Sequence, residues 1–384
     1  MSIGDCMHDI IEDISPWFDA GQRFALATVT RTWSSSPRPI GAAMAVSEAG
    51  EVVGSVSGGC VEGALYEDCQ QVLSTGTTRR VTYGVSDDEA FGVGLTCGGI
   101  IEVFVQIIDK ASFPQFPDIV AAIAAGRPIG IVTVLTDGAP SGQRVVFDAA
   151  DARGSLGDSG LDESATADAR GLLEQGRTRT LMFGQHGERR MDEVSVFVES
   201  FSPPPRMIVF GAIDFAAAVA RIGKFLGYHV TVCDARPLFA TKKRFPDADD
   251  IVVMWPHKYL QTIDVTERTA LCVLTHDPKF DVPLLELALR TRAGYVGAMG
   301  SRKTHNDRLQ QLREVGLSDA ELSRLRSPIG LDLGARTPEE TAVSIAAEII
   351  ADLWGGTKQS LTSITDRPIH PESLASEEIG RAHV

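Results

Sequence analysis

Two short segments in the first quarter of the chain, residues 57–63 and 94–99, each place a cysteine among glycines. A thiol is a small, soft nucleophile, and glycines leave the neighbouring backbone without side-chain cover. A bulky ligand could approach both the thiol and the adjacent N–H groups, so the segments predict a binding site. The alternative is that small residues simply occupy tight turns. The candidate ligand-binding residues are Gly58, Gly59, Cys60, Glu62, Cys97, Gly98 and Gly99.

A second candidate site follows the apolar strands of the C-terminal half. Gly211 comes directly after the first strand, and Asp234 ends the second about 20 residues further on, as in a dinucleotide site. There, glycines let a pyrophosphate approach a helix N-terminus, and the acidic residue accepts hydrogen bonds from ribose hydroxyls. Ile213 stands in place of the second glycine, and Asp214 adds a negative charge. The pattern predicts a Rossmann scaffold and leaves NAD(P) binding open.

Polar residues also follow the fourth and fifth strands of this half. Residues just past the carboxyl ends of parallel strands line a shared crevice, so Thr275 and His276 would face the same opening. Gly300, Ser301 and Arg302 could grip a phosphate through backbone donors and charge-assisted side-chain bonds. The alternative is that Ser301 caps a helix with a solvated first turn, and that His276 only pairs with the acid beside it.

The elements that position these residues fall into two domains. Three consecutive prolines at 203–205 cannot donate backbone hydrogen bonds, and they favour an extended connector. No internal repeat is evident in the sequence. We expect the polar C-terminal tail, residues 357–384, to be weakly ordered or to act as an oligomer arm. The predicted divisions are an N-terminal α+β cofactor-binding domain over 1–202, a proline linker over 203–206, a Rossmann-like domain over 207–356 and a polar C-terminal tail over 357–384.

Short β-rich runs dominate the N-terminal domain, which is therefore expected to be α+β with a preponderance of strands. A stretch rich in Asp, Gly, Ser and Ala, residues 148–169, predicts a mobile loop. The strands of this domain are predicted at residues 24–30, 100–105, 129–134 and 144–147.

The C-terminal domain alternates apolar strands with helix-length segments, which predicts a parallel sheet covered by helices on both faces. Its last helix is signalled by Thr337 as N-cap, Pro338 at the first helical position and Glu340 at the third, with Gly355 as a stop. The chain is thus expected to be an α/β protein, a doubly wound parallel Rossmann-like sheet following the N-terminal domain. Its strands are predicted at residues 207–210, 230–233, 251–254, 271–274 and 295–298.

The composition is that of a globular protein with more than one domain, at 384 residues, 43% hydrophobic and 23% charged. The net charge of −15 argues against a nucleic-acid partner. The sequence has no signal-peptide pattern and no apolar run long enough to cross a membrane, so we expect a cytoplasmic protein. Its six cysteines form no Cys-x-x-Cys pair, which argues against a zinc ribbon or a disulfide framework.

Several long motifs, in the right order, resemble the XdhC/CoxI family, accessory proteins for molybdenum hydroxylases such as xanthine dehydrogenase. The resemblance runs over most of the chain, which makes it more specific than any single glycine pattern. It is carried by residues 57–63, 97–99, 275–277, 300–305 with Arg308, 327–334 and 337–342.

The resemblance implies a protein that binds molybdenum cofactor (molybdopterin), shields it while its terminal sulfur ligand is installed, and helps to pass it on. It implies that the partners are a molybdenum hydroxylase apoenzyme and a cysteine desulfurase. It also implies that this chain is itself a non-catalytic maturation factor. Thiolates are soft ligands suited to a metal–sulfur centre, so Cys60 is the first candidate for contact with molybdenum and Cys97 the second. Polar termini and the proline connector are compatible with a homodimer.

A departure from the family pattern keeps a second function open. The family's nucleotide-binding segment usually carries a histidine and a second glycine where this chain has Ile213 and Asp214. The alternative function is an NAD(P)-dependent oxidoreductase that uses the Rossmann-like domain, with His276 as the acid or base. Xanthine dehydrogenase activity of this polypeptide alone is rejected, because the sequence has no iron–sulfur cysteine spacing and no flavin domain.

Overall fold

The chain forms two compact units, and the division falls between Pro203 and Pro204. The computed structural model describes residues 7–33, 38–84, 99–138, 140–275 and 277–364. Within these residues, no helix is both long enough and apolar enough to span a membrane.

The first unit combines helices with two sets of short strands. Its helices are α1 (Met7–Asp19), α2 (Glu62–Thr75), α3 (Phe116–Ala124) and α4 (Ser159–Gln175). Its strands are β1 (Phe24–Trp33), β2 (Ala43–Ser47), β3 (Val52–Gly54), β4 (Arg79–Tyr83), β5 (Ile100–Ile108), β6 (Ile129–Val134), β7 (Arg144–Phe147), β8 (Ala152–Gly154), β9 (Arg179–Phe183) and β10 (Val194–Phe201).

The first unit is built as two halves with the same architecture. Its strands form two five-stranded antiparallel sheets, ordered β3-β2-β1-β5-β4 and β8-β7-β6-β10-β9. In each half one helix precedes the first strand and a second helix lies between the third and fourth strands. The expectation of no internal repeat is therefore wrong, because the two halves share element order and strand order while their side chains have diverged.

Individual glycines mark equivalent points of the two halves. Gly54 and Gly154 end β3 and β8 at positive φ, and a Cβ on either would lie 2.3 Å from a backbone carbonyl oxygen of the paired strand. Only glycine fits such an approach. Gly76 and Gly176 end α2 and α4 in the left-handed conformation and donate their N–H groups to the last turn of the helix.

The expectation of a mobile loop over residues 148–169 is wrong, because β8 and the first part of α4 lie there. Asp158 caps α4 by accepting hydrogen bonds from the N–H groups of Gly160 at 2.9 Å and Leu161 at 3.1 Å. Leu161 and Ala165 lie on the buried face of the helix, which packs on the second sheet. Because small alanines give this face only a weak hydrophobic pattern, the composition of the stretch predicts a loop although the stretch forms a helix.

The second sheet buries charge on its opposite face. Arg144 on β7 and Glu199 on β10 are each more than nine-tenths buried. Arg144 donates from Nη2 to Oε1 of Gln106 on β5 at 2.8 Å, and its guanidinium lies 4.2 Å from the ring centre of Phe113. Burial raises the pKa of Glu199 to about 7, although the charge of Arg144 acts to lower it. The first unit therefore contains an acid that titrates near neutral pH.

The second unit alternates strands and helices. Its strands are β11 (Arg206–Phe210), β12 (His229–Asp234), β13 (Asp250–Val253), β14 (Thr269–Val273), β15 (Tyr295–Ala298) and β16 (Leu325–Arg326). Its helices are α5 (Asp214–Phe225), α6 (Pro256–Leu260), α7 (Pro278–Ala288), α8 (Arg302–Glu314), α9 (Asp319–Leu322) and α10 (Pro338–Trp354), and a 3₁₀ turn follows at Leu361–Ser363.

These six strands form one parallel sheet, ordered β13-β12-β11-β14-β15-β16. The order grows outward from β11 on both sides, as in doubly wound dinucleotide-binding folds. Met207 and Val209 of β11 join the core with α5 and α10, whereas Ile208 and Phe210 join the core with α7 and α8. The predicted doubly wound parallel sheet is confirmed.

Candidate functional site

The loop before α2 is held by the first residue of that helix, Glu62. Its carboxylate turns back and accepts hydrogen bonds from the hydroxyls of Ser55 at 2.5 Å and Ser57 at 2.6 Å. It also accepts from the backbone N–H groups of Ser57 at 2.9 Å, Gly58 at 3.1 Å and Gly59 at 2.8 Å. Successive N–H groups that converge in this way form an anion-binding nest, and here the chain fills the nest with its own carboxylate.

The hydrogen bonds fix the charge of Glu62. Burial acts to raise the pKa of its carboxyl group, but hydrogen bonds from Ser55 and Ser57 outweigh burial and lower the pKa to about 2. Glu62 is therefore a carboxylate at every ordinary pH. The expectation that the N–H groups of Gly58 and Gly59 are open to a ligand is wrong, because both donate to this carboxylate.

Within the part of the chain that the structure describes, no side chain covers the glycines of the loop. Gly58 and Gly59 have φ values of +80° and +118°, and a Cβ added to either would meet no atom of the described residues within 4 Å. Cys60 follows directly; it is half-buried, and its N–H donates to the hydroxyl of Ser57 at 3.0 Å. Among the described residues, the loop thus places the Cys60 thiol beside backbone that no side chain covers, and a ligand site there stays a prediction.

Cys60 differs from the other cysteines that the structure describes. Cys69, Cys233 and Cys272 are buried, and burial raises the pKa of each thiol to about 12, which makes them inert as nucleophiles. Cys60 is only half-buried. Cys97 and Gly98 lie outside the described residues, and Gly99, just before β5, is buried.

The predicted residues of the second unit lie at the carboxyl edge of its parallel sheet. Gly211 has a φ of +108°, and a Cβ there would lie 2.9 Å from Cγ2 of Thr275, so glycine lets these two strand ends approach. A cavity of about 180 Å³ opens at this edge, and its lining includes Ile213, Asp234 and Phe280. This is the position of the ligand crevice in doubly wound sheets. His276 lies outside the described residues.

Asp234 is already engaged within its own neighbourhood. Its carboxylate accepts from the N–H of Ala212 at 2.7 Å and from the N–H and Nη2 of Arg236, both at 2.8 Å. Asp234 is predicted to accept hydrogen bonds from ribose hydroxyls. Both of its carboxylate oxygens, however, already accept hydrogen bonds from Ala212 or Arg236. Arg236 was not predicted, and its only signal is a basic residue two positions after the acid that ends β12.

A buried ion pair fixes the edge of the cavity. Asp281 accepts from the hydroxyl of Thr275 at 2.5 Å and from Nη2 of Arg308 at 2.7 Å. Arg308 also donates to the Met299 carbonyl at 2.9 Å and to the Ser327 hydroxyl at 3.0 Å. The pair thus ties together the segments that follow β14, β15 and β16. Sequence reasoning missed Asp281, which lies in the first turn of α7 and resembles an ordinary helix-start acid.

The structure favours the alternative for residues 300–302. Ser301 is the N-cap of α8, accepting from the N–H of Thr304 at 3.1 Å, and Arg302 is exposed in the first turn. Gly300 packs against the side chain of Thr304. Among the described residues, no three His, Cys, Asp or Glu side chains cluster as a metal site would require.

Comparisons with known proteins cover both units. Residues 17–84 and 122–184 match the model of the XdhC and CoxI family, and residues 207–349 match the XdhC Rossmann domain. A Bacillus subtilis protein named as a probable subunit of xanthine dehydrogenase is 27% identical over 327 residues, covering 85% of this chain and 92% of that protein. The Escherichia coli molybdenum cofactor insertion chaperone PaoD is 26% identical over 330 residues, covering 86% and 83%. A crystal structure described as a xanthine dehydrogenase from Bacillus halodurans aligns with a TM-score of 0.65 and 25% identity, covering 94% of this chain and 98% of that one.

Proposed function

Because the chain belongs to the XdhC and CoxI family, we propose that it is an accessory protein for a molybdenum hydroxylase. In this proposal it binds molybdenum cofactor and assists the sulfuration of that cofactor and its insertion into an apoenzyme of the xanthine dehydrogenase type. Two named relatives, one a molybdenum cofactor insertion chaperone and one a probable subunit of xanthine dehydrogenase, support a maturation role. The observation that carries the proposal is the half-buried thiol of Cys60 beside two glycines that no other described residue covers.

The chemistry of this loop suits a metal–sulfur cargo. A thiolate is a soft ligand, and soft ligands favour the softer metal centres. No described residue fills the space over Gly58 and Gly59, which favours a broad ligand beside Cys60. Cys60 is therefore the residue that contacts the molybdenum end of the cofactor. The chain needs no catalytic group for this task, so we propose a non-catalytic maturation factor that takes cofactor from a sulfurating enzyme, a cysteine desulfurase, and delivers it to the hydroxylase.

The test measures bound pterin. The chain is co-expressed with the enzymes of cofactor synthesis and purified, and its pterin is measured by fluorescence after oxidation. Wild type is expected to carry pterin, and Cys60→Ala is expected to lose most of it. Cys69→Ala is the matched control, because it removes a buried thiol from α2, the helix that follows the same loop. Equal pterin in wild type and Cys60→Ala would rule out the Cys60 contact, and pterin-free wild type would rule out cofactor binding.

A second candidate function is an NAD(P)-dependent oxidoreductase, and the cavity at the carboxyl edge of the second unit supports it. The saturated carboxylate of Asp234 counts against it, since a ribose would have to displace the Ala212 N–H or Arg236. Calorimetry with NAD(P)H decides between the two functions. Absence of binding at millimolar ligand would exclude the oxidoreductase and would leave the maturation role untouched.

A further inference from the structure

The loop that carries Cys60 has a counterpart in the second half of the first unit. Ser55 and Glu62 are seven residues apart, and so are Ser155 and Asp162. In both halves the serine follows the glycine that ends the third strand, and the acid lies in the first turn of the next helix. The serine hydroxyl donates to the acid at 2.5 Å in the first half and at 2.9 Å in the second. We call each serine–acid pair a latch.

Each latch also orders backbone within its loop. In the first half the N–H of Gly58 donates to Ser55 Oγ at 2.9 Å, and in the second half the N–H of Gly157 donates to Ser155 Oγ at 3.0 Å. In the second half Asp162 also accepts from the N–H of Leu156 at 2.5 Å. The latch is therefore a framework device of the repeat, used in both halves to hold the chain between a strand and a helix.

The surroundings of the two loops differ. A Cβ on Gly157 would lie 3.1 Å from Pro140 Cβ, and a Cβ on Gly160 would lie 2.4 Å from the carbonyl oxygen of His186, so the second loop is covered by protein. In the first loop no described residue lies within 4 Å of a Cβ placed on Gly58 or Gly59. The first loop also carries the thiol, and no cysteine stands in residues 155–162. The two halves thus share a latch, and among the described residues only the first latch lies beside uncovered glycines and a thiol.

The two halves also differ in how the N-terminus of the helix after the latch loop is capped. Asp158 serves as a separate N-cap for α4, whereas Val61 at the N-cap of α2 makes no side-chain cap hydrogen bond. Glu62 therefore does two tasks that the second half divides between two acids. It closes the latch with Ser55, and it satisfies the N–H groups that lead up to Cys60. Its carboxylate is the shared acceptor for the N–H groups of Ser57, Gly58 and Gly59.

The structure assigns to Glu62 the role of a positioning residue that locks the segment before Cys60, so that ligand is taken by the thiol and the open glycine face rather than by backbone donors. The assignment rests on the proposed function for the identity of the ligand only. The hydrogen bonds that lock the segment are made within this chain and do not depend on the identity of the ligand. An anionic group such as a phosphate gains no N–H donors at this loop while Glu62 occupies them.

The test follows the alkylation rate of Cys60 by iodoacetamide, resolved by mass spectrometry of the peptide. Glu62→Ala removes the common acceptor and is expected to raise the rate by about tenfold or more, since losing one charge-assisted hydrogen bond shifts a local opening equilibrium by that factor. Sodium formate is expected to restore the slow rate, because a small carboxylate can enter the vacated nest. Sodium chloride at the same ionic strength is expected to leave the fast rate unchanged.

Asp162→Ala is the matched control, because it removes the equivalent latch from the half without a thiol. It is expected to leave the Cys60 rate at the wild-type value. Glu62→Gln keeps the size of the side chain but loses its charge, and it is expected to raise the rate as Glu62→Ala does, which guards against a folding defect. Formate rescue is tested only in Glu62→Ala, because the glutamine amide still fills the nest. A rate in both Glu62 variants within twofold of wild type, a rise equally large in Asp162→Ala, or a rise that formate does not reverse would each overturn the assignment. The readout needs no cofactor, so it can fail while pterin binding stands, or the reverse.

Discussion

The carboxylate of Asp281 and the guanidinium of Arg308 lie 2.7 Å apart with both side chains no more than 4% exposed. Through Thr275, Met299 and Ser327 the pair joins segments from three different strand ends, so one buried contact holds the edge of the cavity. Such buried pairs contribute little net stability when intact, because the cost of desolvating both charges offsets their attraction. Loss of one partner nevertheless leaves the other charge buried without compensation, which is strongly destabilising.

Removing one partner of this pair is expected to destabilise the second unit strongly. Asp281→Asn leaves the Arg308 charge buried and uncompensated, which costs about 3–5 kcal/mol in the free energy of unfolding. Asp319→Asn is the control, because Asp319 pairs with Arg313 at 3.1 Å but is 85% exposed, and its loss is expected to cost less than about 1 kcal/mol. Urea unfolding measures both. Similar shifts in the two variants would contradict the buried pair.

Glu199 is expected to make stability depend on pH in a direction opposite to most carboxylates. Its pKa is raised from 4.5 to about 7 in the folded state, mainly by burial. The stability it contributes is therefore complete below pH 4.5 and is lost as the pH rises through 7, a change of about 3 kcal/mol. Glu199→Gln removes this dependence. The difference in unfolding free energy between wild type and Glu199→Gln should change by that amount from pH 4.5 to pH 8; a constant difference would show an ordinary pKa.

The loss of stability when a glycine of this loop is replaced is expected to depend on the φ of that glycine rather than on the space around its Cβ position. Gly59 has a φ of +118°, and no atom of the described residues lies near a Cβ placed there, so Gly59→Ala is expected to lose about 1–2 kcal/mol of stability from backbone strain. Gly63, in the first turn of α2, has equally open space without positive φ. Gly63→Ala is expected to be neutral or to stabilise by up to about 1 kcal/mol. Thermal unfolding of the two variants separates strain from crowding, and equal losses would refute strain as the cause.

Alkylation of the native chain is expected to distinguish Cys60 from the buried thiols. Iodoacetamide should modify Cys60, whereas Cys69, Cys233 and Cys272 should remain unmodified until denaturant is added, because burial raises the pKa of these three thiols to about 12. Peptide mass spectrometry measures each site separately. Modification of Cys69 as fast as that of Cys60 would contradict the difference in exposure.

The strands were predicted well where β-branched runs are bounded by turn residues. Residues 129–134, 144–147 and 295–298 form strands with the predicted bounds, and the alternation of strands and helices after the prolines predicted the parallel sheet. Helix α4 was missed because its buried face relies on Ala165 and Ala169, which carry little hydrophobic signal. The repeat was missed because the halves share geometry at a few glycines and latch residues, a pattern too sparse to stand out in one sequence.

The candidate sites were predicted as segments but not as hydrogen-bond networks. Cys60 and its glycines stand out by type and spacing, whereas the return of the Glu62 carboxylate onto the preceding loop is a choice of side-chain rotamer. The same applies to Asp234, whose oxygens bind Arg236 two residues away. Such choices depend on which donors come together in three dimensions, so the sequence predicts which groups are present and leaves open which of them are already bound.

A loop whose donors are satisfied before any ligand arrives has almost no conformational entropy left to lose when it binds. Glu62 makes the segment before Cys60 such a loop. If the loop binds cofactor as proposed, binding is expected to be fast in both directions, because the segment does not have to rearrange to take up the cargo or to release it. The direction of transfer would then be set by whichever protein offers the cargo the deeper enclosure, and a recipient enzyme that buries it completely would draw it away without any trigger from this chain.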